Sequence, residues 1–228
     1  MSGPEGDSEP RPRALRPRVC CVLPAWREET RVGAVVQAVP REVVDTVVVV
    51  DDGSSDDTAG AAERAGAVVV RHPVNRGVGA AIRSGIDWAR DHGFDLVVIG
   101  SGGGKTPPEQ IPSLLAPLLA GDADLVQGSR YLPGGRTERM PLGRVLGTRG
   151  YTELFALFSG HRITDASSGF RAFRLSILDD RRIDLWQDWL DRYELEPYLL
   201  FQALQCGFRV LEVPVTIAYP NDKLRYTK

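Results

Sequence analysis

Val47-Val48-Val49-Val50-Asp51-Asp52-Gly53-Ser54-Ser55-Asp56-Asp57-Thr58 joins four β-branched residues to paired acids and turn formers. A half-exposed strand alternates apolar with polar residues; this one does not, so it reads as a strand covered on both faces. The acids fall where the strand leaves the sheet, and in α/β proteins that carboxyl edge is where ligands bind. Taken alone, the run is equally a solvated turn capping the next helix, with Asp56 or Asp57 near its N-terminus.

Outward from this stretch the chain keeps one rhythm. Short apolar strands at Val19 to Leu23, Val43 to Val50, Ala67 to Arg71, Leu96 to Ile99 and Asp124 to Val126 alternate with helical segments. The helices start near Glu29, Thr58, Gly77, Pro108 and Arg192, the last ending before Gly207. Such alternation predicts an α/β fold with a mainly parallel, doubly wound sheet and helices on both faces. Residues 127–165 break the rhythm with glycine, arginine and proline, then a short apolar helical run from Tyr151 to Phe158. They suit a flap or second layer over the sheet's carboxyl edge. Residues 1–17, rich in proline and charge, read as a disordered tail before a single domain over 18–228.

Composition narrows the function. At 228 residues with 43% apolar and 25% charged residues, the chain suits one domain with a full core. A formal charge of −2 argues against a nucleic-acid surface. Cys20 and Cys21 are adjacent in a strand and point to opposite faces, and Cys206 is remote, so no disulfide framework is expected and a cytoplasmic setting is favoured. His72, His92 and His161 share no ligand spacing, which speaks against zinc. No run reaches the roughly 18 apolar residues that span a bilayer.

Three strand ends carry chemistry: Leu23-Pro24-Ala25-Trp26-Arg27-Glu28-Glu29, Asp51-Asp52-Gly53-Ser54, and Gly100-Ser101-Gly102-Gly103-Gly104-Lys105. In one parallel sheet they converge on one crevice. Together they suit a nucleoside diphosphate, with Trp26 near the base and Glu28, Asp51 and Asp52 on base or ribose donors. Backbone N–H groups of the glycine loop and Lys105 would then meet phosphate. Each piece has a plainer reading, since glycine loops serve as turns and Trp26 fits a core.

Taken in order, the segments resemble the family 2 inverting glycosyltransferases, in particular the dolichol-phosphate mannose synthase-like branch. Pro24-Ala25-Trp26-Arg27-Glu28-Glu29 stands where that family has Pro-Ala-Tyr-Asn-Glu-Glu, and Asp51 to Thr58 matches its acidic nucleotide-binding turn. Asn75-Arg76-Gly77-Val78-Gly79-Ala80 is similar to its Asn-x-Gly-Lys-Gly-Ala helix start. Gly128-Ser129-Arg130, Asp165-Ala166-Ser167-Ser168-Gly169-Phe170-Arg171 and Glu212-Val213-Pro214-Val215 resemble its acceptor-side and closing segments, and Tyr226-Thr227-Lys228 its terminal diphosphate-closing lysine. The likeness covers about residues 18–228.

That resemblance implies a GT-A fold with an acceptor-side flap. It also implies transfer with inversion from a UDP- or GDP-linked sugar to a polyprenyl phosphate or a small molecule, with peripheral contact at the inner membrane face. Pro24, Ala25, Trp26, Glu28, Asp51, Asp52, Ser101, Gly102, Gly103, Arg130 and Lys228 would bind the donor. Asp165 is the first candidate for general base, with Glu194 and Glu196 as competitors, and Arg171 would hold Asp165 or an acceptor phosphate. One departure stands out. Ser101 and Gly103 occupy the positions of the family's metal-binding Asp-x-Asp acids, and neither offers the anionic oxygen that Mg²⁺ or Mn²⁺ prefers. No metal ligand is therefore assigned, and Lys105, Arg130, Lys228 and the Gly102–Gly104 amides are expected to carry phosphate charge. A non-catalytic nucleotide-sugar binding protein is the competing reading. A nucleotidylyltransferase would want a glycine-rich signature after strand one, where Pro24 to Glu29 stand.

Overall fold

A computed structural model describes residues 16–219. Nearly all of the expected tail, and Lys228, lie outside the described residues. Four strands, β1 (Val19–Ala25), β2 (Thr46–Asp51), β3 (Val68–Arg71) and β4 (Leu96–Ile99), run parallel, with α1 (Val32–Ala38), α2 (Thr58–Arg64) and α3 (Val78–Asp91) between them. Next come α4 (Ile111–Ala120), β5 (Leu125–Ser129), β6 (Arg136–Glu138), α5 (Leu142–Ser159), β7 (Arg171–Arg174), α6 (Leu195–Gln205), β8 (Val210–Pro214) and β9 (Thr216–Ala218).

The seven-stranded sheet has the order β3-β2-β1-β4-β7-β5-β8. Successive side chains in β1, β2 and β4 point to opposite faces and enter separate cores. Cys20, Val22, Val48, Val50, Val97 and Ile99 pack with α3 and α6; Val19, Cys21, Val47, Val49, Leu96 and Val98 pack with α1 and α4. This is why the valine run carries no polar alternation: both its faces are covered, and each fully buried aliphatic side chain contributes about 1.5–3 kcal/mol. Cys20 and Cys21 are buried on opposite faces as free thiols, and burial pushes Cys21 up to about 12.

Two features depart from the sequence reading. β7 is a strand that the rhythm did not predict, antiparallel to both β4 and β5, with Val98 and Val126 each registered on Ala172. It is four residues long with arginine at each end, so it lacks the β-branched signature. The flap helix α5 is 18 residues long rather than a short run, and it ends at Gly160 in the left-handed region. Gly143, Gly147 and Gly150 lowered its apparent helicity. β6 pairs in parallel with β9, which fastens the flap to the chain's later segment.

Candidate active site

The strand order reverses between β2 and β4 around β1, and the crevice lies at the carboxyl ends there. β1 is clamped from both sides: Asp52 N donates to Ala25 O at 2.9 Å, and Gly102 N donates to Pro24 O at 3.1 Å. Because β7 is antiparallel, its first residue, Arg171, pairs with the last of β4, Ile99, and with Gln127 of β5. The Asp165–Phe170 segment therefore enters at the same edge as the glycine loop.

A cavity of about 200 Å³ opens there, with Pro24, Ser101, Lys105, Arg130, Arg144 and Glu196 in its wall. Of the residues expected from the sequence, it brings together Pro24, Ser101, Lys105, Arg130 and Glu196. Trp26, Glu28, Asp51 and Asp52 stand at the adjoining ends of β1 and β2, outside this cavity. The Arg27 guanidinium lies 4.9 Å from the centre of the half-buried Trp26 ring, and Arg27 N donates to Ser54 Oγ at 2.8 Å, tying the two loops together.

The acids divide by what already holds them. Asp51 Oδ1 accepts from Ser54 N at 3.1 Å. Asp52, 3% exposed, meets His72 Nδ1 at 2.7 Å and accepts from Arg76 N and Gly77 N at 2.8 Å each. Expected to hold a nucleoside, Asp52 instead fixes the turn into α3. Gly77 suits that turn because its φ of +105° is open only to glycine.

Asp165 is wholly buried. Its Oδ2 accepts from Arg130 Nε at 2.6 Å and its Oδ1 from Arg130 Nη2 at 2.7 Å, a bidentate pair. Ser167 Oγ adds a donor at 3.1 Å. Arg130 also gives Nη2 to Ser167 Oγ at 2.6 Å and Nη1 to Tyr219 Oη at 2.8 Å and Met140 Sδ at 3.8 Å, so all five of its N–H groups are engaged. Two expectations change. Asp165 presents no oxygen to the cavity, and Arg130 offers charge balanced by Asp165 but no spare donor for phosphate. Glu212 of β8 sets this turn, accepting from Thr164 N at 2.8 Å and Asp165 N at 3.0 Å.

Arg171 is fully buried and braces the backbone, giving Nη2 to Ser168 O at 2.6 Å and Nη1 to Glu196 O. It makes no hydrogen bond to Asp165 and does not line the cavity. Glu194 is exposed where α6 begins and does not line the cavity, whereas Glu196 two residues on does. Burial pushes the Glu196 carboxyl above its ordinary pKa, with Arg171 and Lys105 pulling it back. Lys105 is lowered by burial and by Arg144, and Glu28 and Glu196 oppose that fall.

Arg144 and Tyr219 were missed from sequence. The Arg144 guanidinium lies 5.1 Å from the Tyr219 ring centre at the cavity wall. Their only signal was the density of arginine between Arg136 and Arg149. α5 is held beside the site by Tyr131 Oη to Thr148 Oγ1 at 2.6 Å and by Ala166 N donating to Thr152 Oγ1 at 3.2 Å.

The residues present do not fit a resident divalent metal at the β4 loop. Ser101 and Gly103 supply no carboxylate, and among the described residues no three acid, histidine or cysteine side chains gather to hold one. Of the loop amides expected to meet phosphate, Gly102 N and Gly104 N already donate to Pro24 O and Ser101 O.

The profile of Glycosyl transferase family 2 matches residues 20–182. The polyprenol monophosphomannose synthase of Mycolicibacterium smegmatis is 33% identical over 217 residues, covering 90% of this chain and 80% of that protein. The undecaprenyl-phosphate mannosyltransferase of Micrococcus luteus is 32% identical over 208 residues, covering 87% and 83%. Among solved structures, glucosyl-3-phosphoglycerate synthase from Mycobacterium tuberculosis, in complex with Mn²⁺, UDP and glucosyl-3-phosphoglycerate, superimposes with a TM-score of 0.68 at 25% identity, covering 90% of this chain and 72% of that one. With the sheet order, the crevice and the cationic cavity in place, this chain belongs to glycosyl transferase family 2 and is a glycosyltransferase of GT-A fold.

Proposed function

We propose that the enzyme transfers a hexose, with inversion, from a nucleoside-diphosphate sugar to a polyprenyl phosphate at a membrane surface. The observation that carries this reading is the outward face of α5. Leu142, Leu146, Leu157 and Phe158 are 82%, 72%, 75% and 76% exposed, beside a cavity whose rim bears Arg144. An exposed apolar surface of this kind marks an interaction site, and a lipid-borne phosphate supplies both an apolar layer and an anion. No helix among the described residues is long and apolar enough to cross a membrane; in this reading α5 meets the membrane surface peripherally, from the cytoplasmic face.

The chemistry agrees. An alcohol acceptor needs a base within hydrogen-bond reach; Asp165 is committed to Arg130 and Glu194 faces solvent, which leaves Glu196 alone of the three in the cavity wall. A phosphate acceptor is already ionised. Its oxygen attacks the anomeric carbon from the side opposite the nucleotide, the new C–O bond forms as the bond to the diphosphate oxygen breaks, and no proton moves. In this reading Pro24, Ala25, Trp26, Glu28 and Asp51 cradle the nucleoside, Ser101 lies along the diphosphate, and Arg144 draws the acceptor phosphate. Glu196 orients the sugar. Lys228 keeps its expected place over the diphosphate as a proposal.

Incubating the protein with a panel of UDP- and GDP-hexoses and undecaprenyl phosphate in vesicles tests this. Mass spectrometry should find the hexosyl phospholipid. Transfer only to water-soluble acceptors would move the acceptor class, and nucleotide binding without any transfer would establish the non-catalytic binding protein instead.

A further inference from the structure

The loop after β4 is pinned along its length. Gly100 N donates to Val22 O at 3.0 Å, Gly102 N to Pro24 O at 3.1 Å and Gly104 N to Ser101 O at 3.0 Å. On that fixed path the two positions that the resemblance sets against metal-holding acids carry a hydroxyl and a bare α-carbon. The Glu28 carboxylate crowds the second and would have to swing aside for any side chain there. A Cβ at Gly103 would lie 2.7 Å from Glu28 Oε1 and 2.9 Å from its Cδ, closer than non-bonded atoms settle. An aspartate there would also face a second carboxylate, and like charges at such range resist joint ionisation.

Neighbouring acids do not make up the deficit. Asp52 is taken by His72, Arg76 and Gly77, Asp51 Oδ1 by Ser54 N, and Glu28 Oε2 by Arg31 Nη1 at 3.1 Å. Two residues beyond Gly103, however, the same loop supplies a cation. Lys105 lines the cavity, and its backbone carbonyl accepts from Ala218 N at 2.9 Å, which fixes where its stem begins. Its ammonium forms no ion pair among the described residues, although Glu28 and Glu196 attract it from two sides.

We propose that the Lys105 ammonium, in place of a divalent cation, takes the charge that develops on the leaving nucleoside diphosphate. The inference rests on the transferase reading above. As the anomeric C–O bond breaks, its electron pair stays on the β-phosphate oxygen; Lys105 donates a hydrogen bond to that oxygen and keeps its proton. Stabilising charge that grows in the transition state is the largest catalytic contribution at sites of this kind. A lysine placed here makes the donor half of the site independent of metal supply.

Calorimetric titration of UDP and GDP, in EDTA and again in Mn²⁺, tests this without turnover. The expected result is the same nucleotide affinity in both conditions. Lys105→Met keeps the apolar stem and should bind about 10- to 100-fold more weakly, the worth of one charge-assisted hydrogen bond, with an unchanged melting temperature. Lys105→Arg should retain most of the affinity. Binding that vanishes in EDTA and returns with Mn²⁺, or a Lys105→Met variant that binds as the wild type does, overturns the inference and leaves the transferase reading intact. If neither UDP nor GDP binds under any condition, both readings are overturned.

Discussion

Asparagine in place of Asp165 removes the charge that balances Arg130 in a buried pair. Arg130 is 5% exposed and Asp165 fully buried, so Asp165→Asn strands a guanidinium in the protein interior. Asparagine keeps the shape and one acceptor oxygen, so Ser167 and one Arg130 nitrogen remain satisfied and the damage is chiefly electrostatic. Breaking a buried ion pair by removing one partner costs about 3–5 kcal/mol, and a domain of this size loses roughly 2–4 °C per kcal/mol, so the melting temperature should fall by about 6–20 °C. Thermal and urea denaturation followed by near-ultraviolet circular dichroism would read the loss, and sugar transfer by the folded fraction would be measured beside it. A general base behaves differently: its removal costs about 10²- to 10⁴-fold in rate at little cost in stability. An Arg130→Met, Asp165→Leu double variant, which removes both charges, should recover much of the lost stability. If Asp165→Asn melts with the wild type while its kcat collapses, the anchoring role is wrong and Asp165 is the base.

Glu196→Gln should show its effect through pH. Burial raises the Glu196 pKa in the folded state, and an acid so shifted lends stability below its unfolded pKa that is lost as pH climbs through the raised value. The glutamine variant should therefore match the wild type near pH ~4 and gain on it toward neutrality, while transfer falls; a difference that stays flat with pH refutes this. Gly103→Asp should destabilise by about 0.5–1.5 kcal/mol as the Glu28 side chain is pushed aside, and adding Glu28→Gly should restore most of that, which a double-mutant cycle of urea midpoints would check. Leu146→Glu with Leu157→Glu should cut sedimentation with phospholipid vesicles while leaving the melting temperature within a few degrees, since both side chains are exposed. Unchanged vesicle binding would detach α5 from the membrane.

The central sheet was legible because β1, β2 and β4 are valine-rich runs covered on both faces, and because each ends in residues that cannot continue a strand. The turns after these strands were legible for the same reason: Asp52-Gly53 and Gly100 mark where β2 and β4 stop, whereas β1 runs one residue past Pro24, to Ala25. What resisted reading depends on distance along the chain. Arg130 and Asp165 stand 35 positions apart, and nothing in either motif says that one consumes the other's hydrogen bonds. Glu194 and Glu196 look alike as letters; only the start of α6 decides which one turns inward. α5 was shortened by glycines that ordinarily weaken a helix and here leave an open, unencumbered outer face.

The reversed strand also sets an order of assembly. β5 has no sheet partner in β4; the two are joined only through β7, which lies between them. During synthesis, residues 16–106 can complete their local strand–helix–strand units as they emerge, whereas β5 must wait, its edge unpaired, until Arg171–Arg174 has been made. The half of the sheet built from β1 to β4 can thus form before the half that holds β7, β5 and β8. Variants that weaken β7, such as Ala172→Pro, should accumulate a partly folded chain with that first half intact, rather than an unfolded one.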